Sequence, residues 1–411
     1  MLLLCERLPS YTEPMRRPTI SELILGGSVL LLLPLCLLGY GADNDTYTVL
    51  DSGISTWHLH LADTSRNPGY WVFEAIVFAL RGFGGSVATN LATLAVAIIV
   101  LWRFVLIAKR LGVVFPYIVA TWLAVTPVFV IAATSTVDYL WSLLGLVLFV
   151  ELLVEDRLLL AILPAAFAFA IRGANGPLIA GAIVGAVLVS PRRASRFIGV
   201  GLAVAILGGL PYVESYRLAN HSFAFLHALA GPDEMWSTKM RVGRFIYKSC
   251  YLFGPIATAF LAGTLFRRGQ MSSPGSDFHR RAIAVFLGVI VANSILFLWY
   301  PIEISYLLPA AFFLLLLVGM KLEKKIVAIA TLLLILSLNF VTPQFARPNI
   351  PGHATGATFH PSLEPGILVE DIRFRLKVRQ CEDYRCYFLV LHPGSHDLDY
   401  TNPIPLQAPL Q

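Results

Sequence analysis

Charge is what this chain has least of. Asp, Glu, Lys and Arg make up 14% of its 411 residues, against about a quarter in soluble globular proteins, while hydrophobic residues supply 57%. That balance excludes an ordinary soluble globule. The signatures of soluble nucleotide and hydrolase chemistry are absent too: there is no P-loop, no GxGxxG ahead of a strand and no GxSxG elbow. Cysteine is sparse, at five residues, and neither CxxC nor HExxH occurs, so a structural zinc site has no basis. Strict period-2 alternation is missing, which excludes a transmembrane barrel, and no internal repeat is present.

What fills the chain is apolar runs. A helix needs roughly 17 to 25 residues to cross the hydrocarbon core, and about eleven runs approach or reach that length, some of them short or fused. They cover 23–40, 86–108, 111–133, 138–154, 158–171, 176–190, 197–213, 249–266, 282–300, 306–320 and 326–341. The expected fold is therefore an all-α polytopic membrane protein. Basic residues fall in alternate connections: Arg16 and Arg17, Lys109 and Arg110, Arg157, Arg192 to Arg196, Arg267 to Arg281, and Lys321 to Lys325. By the positive-inside rule this phase puts the N-terminus in the cytoplasm and the C-terminus outside, in a plasma (inner) membrane. The net charge of +6 is then a topology signal and gives no reason to invoke nucleic acid.

This reading divides the chain into a cytoplasmic lead (1–22), a transmembrane bundle (23–341) and an extracytoplasmic C-terminal region (342–411). The lead has no small-residue cleavage site after its apolar run, so a cleaved signal peptide is not expected. The C-terminal region is large enough for a small domain or an ordered flap, and marginal as an independent core. Within it Cys381 and Cys386 could pair in an oxidising compartment. Long outer loops are expected at 41–85 and 214–248. In the second, residues 239–248 alternate cations with apolar side chains, as snorkelling cations at a membrane surface do, or a seat for a lipid-linked phosphate.

Chemistry concentrates in the first outer loop. It gathers Asp43, Asp45, Asp51 and Asp63, then His58 and His60, then Ser65-Arg66-Asn67-Pro68-Gly69-Tyr70. The histidines read most simply as part of a polar loop. On an extended backbone Asp43 and Asp45, two apart, would project to one side, where such a pair deprotonates a hydroxyl, orients it or holds a divalent cation. Residues 70–83 space Trp71, Val72, Ala75, Ile76, Phe78 and Ala79 as an amphipathic surface helix. Elsewhere, Ser135 and Asp138 stand as in a capping box, which favours a helix-capping role for Asp138. Arg172 sits at an outer turn against the positive-inside trend, so an anionic partner is expected, a lipid headgroup or an acid such as Asp138. Glu303 precedes the tenth run, where the helix dipole favours an anion.

Gly41-Ala42-Asp43-Asn44-Asp45-Thr46-Tyr47 after the first run, followed by Ser65-Arg66-Asn67-Pro68-Gly69-Tyr70 and Glu74, resembles the first outer loop of the GT-C membrane glycosyltransferases. The likeness is to the protein O-mannosyltransferase and aminoarabinose-transferase branch. Val137-Asp138-Tyr139-Leu140-Trp141 and Glu303-Ile304-Ser305-Tyr306-Leu307-Leu308-Pro309 look like further landmarks. The resemblance covers most of the bundle and does not extend clearly to the tail. It implies transfer of a sugar from a polyprenyl-phosphate donor to a glycan, lipid or protein acceptor on the non-cytoplasmic face. By the same resemblance Asp43 is the base and Asp45 its partner or alternative. Arg66 and Arg172 would steady the departing phosphate, Tyr70 and Glu74 would shape the pocket, and Asp138 would support Arg172 or the acceptor. Glu303 and Tyr306 would line the opposite wall. No cofactor is required; a divalent cation at Asp43 and Asp45 is the one candidate. The other classes considered are a transporter or flippase of lipid-linked or small solutes and a non-catalytic envelope assembly protein.

Overall fold

The structure, a computed structural model, describes residues 18–57, 59, 65, 69–218, 221, 237–266, 277–350 and 353–391. His58, His60, Asp63, Arg66, His392 and His396 therefore lie outside the described residues. Helices α1 (Ile20–Leu30), α2 (Asn44–Trp57), α3 (Trp71–Arg110), α4 (Pro116–Ala124), α5 (Pro127–Thr134), α6 (Tyr139–Val154), α7 (Leu158–Ile171), α8 (Asn175–Val189), α9 (Ala194–Gly209) and α10 (Tyr212–Leu218) come first. They are followed by α11 (Thr238–Phe253), α12 (Pro255–Phe266), α13 (Asp277–Trp299), α14 (Leu308–Met320) and α15 (Lys325–Ser337). Short 3-10 turns occupy Leu33–Leu37 and Ile304–Leu307. The chain then forms an antiparallel hairpin, β1 (Val341–Ile350) with β2 (His353–Pro365), and ends its described part in α16 (Ile367–Val378) and α17 (Tyr384–Leu391).

The helical expectation holds through the bundle, and the hairpin is its one exception among the described residues. Three stretches are long and apolar enough to cross a membrane: Ile20–Leu37, Trp71–Arg110 and Asp277–Trp299. The number reaches five if α4 with α5, bent by 70°, and α11 with α12, bent by 90°, each count as one span. The other apolar runs also become helices, but α6, α7, α8 and α15 have 10–17 residues, and at 1.5 Å per residue such helices rise less than the roughly 30 Å of a hydrocarbon core. Residues 70–83, expected as a surface helix, and the second apolar run are both helical from Trp71 on. They are joined in α3 across a break at Gly84 and Gly85, the latter at φ 58°.

Two expectations for the loops are corrected. Asp43 and Asp45 do not share an extended strand, because α2 begins at Asn44 and puts Asp45 in its first turn. Residues 239–248 are helical throughout as part of α11, whose Ser237 N-cap accepts the amide of Met240.

Close packing ties α8 to α13. A methyl group at Gly185 would stand 2.3 Å from the Ala284 carbonyl oxygen, and one at Gly288 would stand 2.1 Å from that of Gly181. Only glycine lets two backbones approach so closely.

The basic connections converge at one end of the bundle. Glu151 is buried between Arg103 and Arg110, Glu155 pairs with Arg110, and Asp156 takes Arg193 with Arg281 at 3.8 Å. These acids close α6, whose other end carries Asp138. The length of α6, roughly 24 Å at 16 residues, separates that end from the candidate site.

The C-terminal region is not a separate body. Val378, Cys381 and Tyr387 join Tyr40, Tyr47, Leu50, Phe73 and Val77 in a second hydrophobic cluster apart from the main one. Arg375, wholly buried, donates to the carbonyls of Leu35 (2.9 Å) and Thr134. Cys381 and Cys386 are disulfide-bonded. A region too small for its own core has borrowed one from α2 and the start of α3.

Candidate functional site

The site is built where the starts of α2, α6 and α14 meet. The Asp43 carboxylate accepts the amide of Asp45 at 3.0 Å, and the Asp43 carbonyl accepts that of Thr46 at 3.2 Å. Asp43 thus starts α2, and the positive end of the helix favours both acids. Across from them, Glu303 precedes the 3-10 turn into α14 and accepts from the Tyr139 hydroxyl and from Ser305 Oγ at 3.0 Å. Carboxylate oxygens of Asp43, Asp45 and Glu303 lie within 4.8 Å of one another, all three half-buried. Like charges so close together attract a cation.

Behind this cluster stands a buried ion pair. The Arg172 guanidinium meets both Asp138 oxygens, at 3.2 and 3.1 Å, and lies 4.4 Å from each of the Tyr139 and Tyr306 ring centres. Asp138 is 1% exposed and Arg172 6%. The capping expectation for Asp138 is overturned: the residue occupies the N-cap of α6, yet its side chain makes no cap hydrogen bond. Charge pairing outweighs capping because a buried guanidinium without an anion is far more costly than an uncapped helix end. Arg172 has its expected anionic partner, Asp138.

Tyr139 connects the halves. Asp43, Asp45, Asp138 and Tyr139 line one narrow cleft; Tyr139, Arg172, Ser305 and Tyr306 line the next. The arrangement offers carboxylates able to take a proton from a hydroxyl or amine, beside a neutralised ion pair that holds the aromatic walls.

The remaining expected residues divide. Tyr70 occupies the N-cap position of α3 and is half-buried. Glu74 is fully buried and accepts from Ser52 Oγ (2.8 Å) and the Ser65 amide (3.0 Å), so it braces α2 and the loop against α3. Arg66 lies outside the described residues.

The tail packs over this site. The Tyr387 ring stacks on Tyr47 at 4.5 Å, and its hydroxyl donates to the Ala42 carbonyl at 3.2 Å, one residue before Asp43. Burial, with the Asp43 carboxylate nearby, pushes the Tyr387 hydroxyl up to about 12. Nothing local marks Tyr387 or Arg375 for a role, because the partners that tie them to the site, Ala42 and Thr134, are more than 200 residues away along the chain. Tyr139 carried a signal, its place within Val137-Asp138-Tyr139-Leu140-Trp141.

A divalent cation fits the Asp43, Asp45 and Glu303 oxygens, since Mg²⁺ and Ca²⁺ prefer hard carboxylate ligands. No family model matches this chain, and neither a curated protein nor a solved structure matches it significantly.

Proposed function

We propose that this protein is a multi-pass membrane glycosyltransferase of the GT-C type, moving a sugar from a polyprenyl-phosphate donor to an acceptor on the non-cytoplasmic face. The observation that carries the reading is the cluster of Asp43, Asp45 and Glu303 at the end of the bundle opposite the basic connections. With the basic end in the cytoplasm, the cluster faces outward, and the apolar helices lie in the bilayer. Asp43 takes the proton of the acceptor hydroxyl or amine as that atom attacks the anomeric carbon. The bond from the anomeric carbon to the phosphate oxygen breaks, and polyprenyl phosphate leaves with the electron pair. Asp45 shares the first turn of α2 and serves as partner or alternative base. Asp138 keeps Arg172 in place, and Arg172 with Tyr139 and Tyr306 forms the wall against which the donor rests. Arg66 is retained as a phosphate ligand on the resemblance alone. A cation held by Asp43, Asp45 and Glu303 would supply positive charge for the phosphate.

The test is a transfer assay in nanodiscs with a panel of radiolabelled polyprenyl-phosphate sugars and envelope extract as acceptor. Wild type should consume one donor, and Asp43→Asn should lose at least about a hundredfold in rate while remaining folded and inserted. Full activity in Asp43→Asn would refute its role as base. The bent pairs α4 with α5 and α11 with α12 favour a second reading, a transporter, because broken helices are typical of transporters. Solute or lipid movement without any sugar transfer would select it.

A further inference from the structure

The C-terminal region grips the chain around Asp43 through one short turn. Cys381 and Cys386 close that turn, between α16 and α17, with a disulfide. At Gly39, φ is 79° and an added Cβ would stand 2.9 Å from the Arg379 Cα, so both conformation and space call for glycine there. The Tyr47 hydroxyl lies 3.2 Å from the Gly41 carbonyl and 3.4 Å from that of Val378. Glu382 pairs with Arg81 at 3.2 Å, the Tyr384 amide donates to the Asp51 carboxylate at 3.1 Å, and the Tyr387 hydroxyl donates to the Ala42 carbonyl at 3.2 Å.

The same segment is held a second time by the turn before α6. The Thr136 amide donates to the Tyr40 carbonyl at 2.7 Å, and Thr46 Oγ1 donates to the Thr136 carbonyl at 3.2 Å. Residues 39–43 belong to no helix or strand, so nothing within the segment itself fixes where Asp43 begins α2. Its place is set by these two grips. The grip at Thr136 comes from a buried part of the bundle. The other comes from a turn of a few residues, and a covalent bond restricts the shapes that turn can take.

We propose that the disulfide-closed turn positions Asp43 and Asp45, with Tyr387 and the Arg379 backbone as its positioning groups, and that the Cys381–Cys386 bond makes this placement depend on oxidation. The effect on rate rests on the glycosyl-transfer reading; the grip does not. Cys381 is 1% exposed and Cys386 is the more open of the two, so a dithiol reductant attacks the Cys386 sulfur. The S–S bond breaks, Cys381 leaves as a thiolate and takes a proton. The second thiolate of the reductant then displaces Cys386, and two electrons have passed to the protein. The opened turn loses its hold on Ala42. The carboxylates are thus set only where disulfides persist, which is the compartment the proposed orientation gives them.

The experiment follows full-length protein in nanodiscs, oxidised, reduced with dithiothreitol and reoxidised, by amide hydrogen exchange and by sugar transfer. Cys36 and Cys250 are free, so among the described residues the reductant has one bond to act on. Reduction should speed exchange across α2 at least about tenfold while α8 and α13 keep theirs, and reoxidation should reverse the change. Cys381→Ser with Cys386→Ser should match the reduced state; should that variant not fold, the reduced wild type decides alone. Unchanged exchange in α2, or an equal rise throughout the bundle, overturns the proposal. In the transfer assay, reduction should lower kcat per folded protein about tenfold with the donor KM unchanged, because Asp138 holds the donor wall of Arg172, Tyr139 and Tyr306 independently. Tyr387→Phe should move kcat in the same direction with the disulfide intact. A reduced enzyme with full kcat, or with a raised KM alone, overturns the positioning role and leaves the transferase. A loosened α2 on reduction, with no sugar transferred by the oxidised protein, removes the transferase and leaves the grip standing.

Discussion

At the scale of single residues, pairing of buried charge decides more than local spacing does. Ser135 and Asp138 stand at capping-box spacing, yet the Asp138 carboxylate turns to Arg172, a partner 34 residues away. Removing one member of such a pair leaves the other charge buried and uncompensated, at a cost of about 3–5 kcal/mol. Asp138→Asn should therefore lower thermal stability sharply, and the double variant Asp138→Leu with Arg172→Met should recover much of it in the same melting experiment. Recovery would not follow if Asp138 acted as a cap. Tyr387 makes a second residue-scale case. Its Phe variant loses the bond to the Ala42 carbonyl and should cost about 1 kcal/mol, seen as faster proteolysis of the tail. The folded hydroxyl keeps its proton up to about 12, whereas an unfolded tyrosine ionises near about 10. The stability it contributes is thus complete below pH ~10 and is lost as pH rises toward ~12. A tail equally resistant to protease at pH 9 and pH 12 would contradict this.

At the scale of elements, periodicity foretold helices well and their ends less well. The runs at 158–171 and 176–190 became α7 (Leu158–Ile171) and α8 (Asn175–Val189) almost residue for residue, because each is a continuous apolar run of helical length bounded by polar or glycine residues. Helix α11 was harder to read, since cations on one face and aromatics on another resemble a loop when counted along the chain. The start of α2 was misread for a related reason: Asp is as common in turns as at helix N-termini, and spacing alone does not separate them. Helix pairing supplies a prediction. Gly185→Leu forces apart α8 and α13, whose backbones touch at Gly181, Gly185 and Gly288. Overpacking of this kind costs about 1–3 kcal/mol or more, and the variant should melt earlier and be recovered in lower yield from detergent. Gly199→Leu, at a position with nothing within 4 Å of an added Cβ, should change neither.

At the scale of the whole molecule, the two ends of the bundle differ in kind. One gathers arginines against Glu151, Glu155 and Asp156; the other gathers carboxylates under the C-terminal region. With the basic end inside, a cysteine introduced at Lys324 should react with membrane-permeant maleimide only. One introduced at Arg385 should react with the impermeant reagent in intact cells. The reverse pattern would invert the proposed orientation and place the acidic cluster in the cytoplasm.

The sequence by itself determined that the chain is helical and apolar, where its basic connections lie, and that Asp43 and Asp45 stand close together just after the first apolar run. Those properties are local, set by composition and by the spacing of neighbouring residues. Only the tertiary structure decided that Glu303 joins those acids, that Asp138 serves Arg172, that Glu74 braces the loop from within, and that the C-terminal region shares a core with α2. Each of these is a contact between residues distant in the chain, formed because a buried charge or a small apolar surface needed a partner that its own neighbours did not provide.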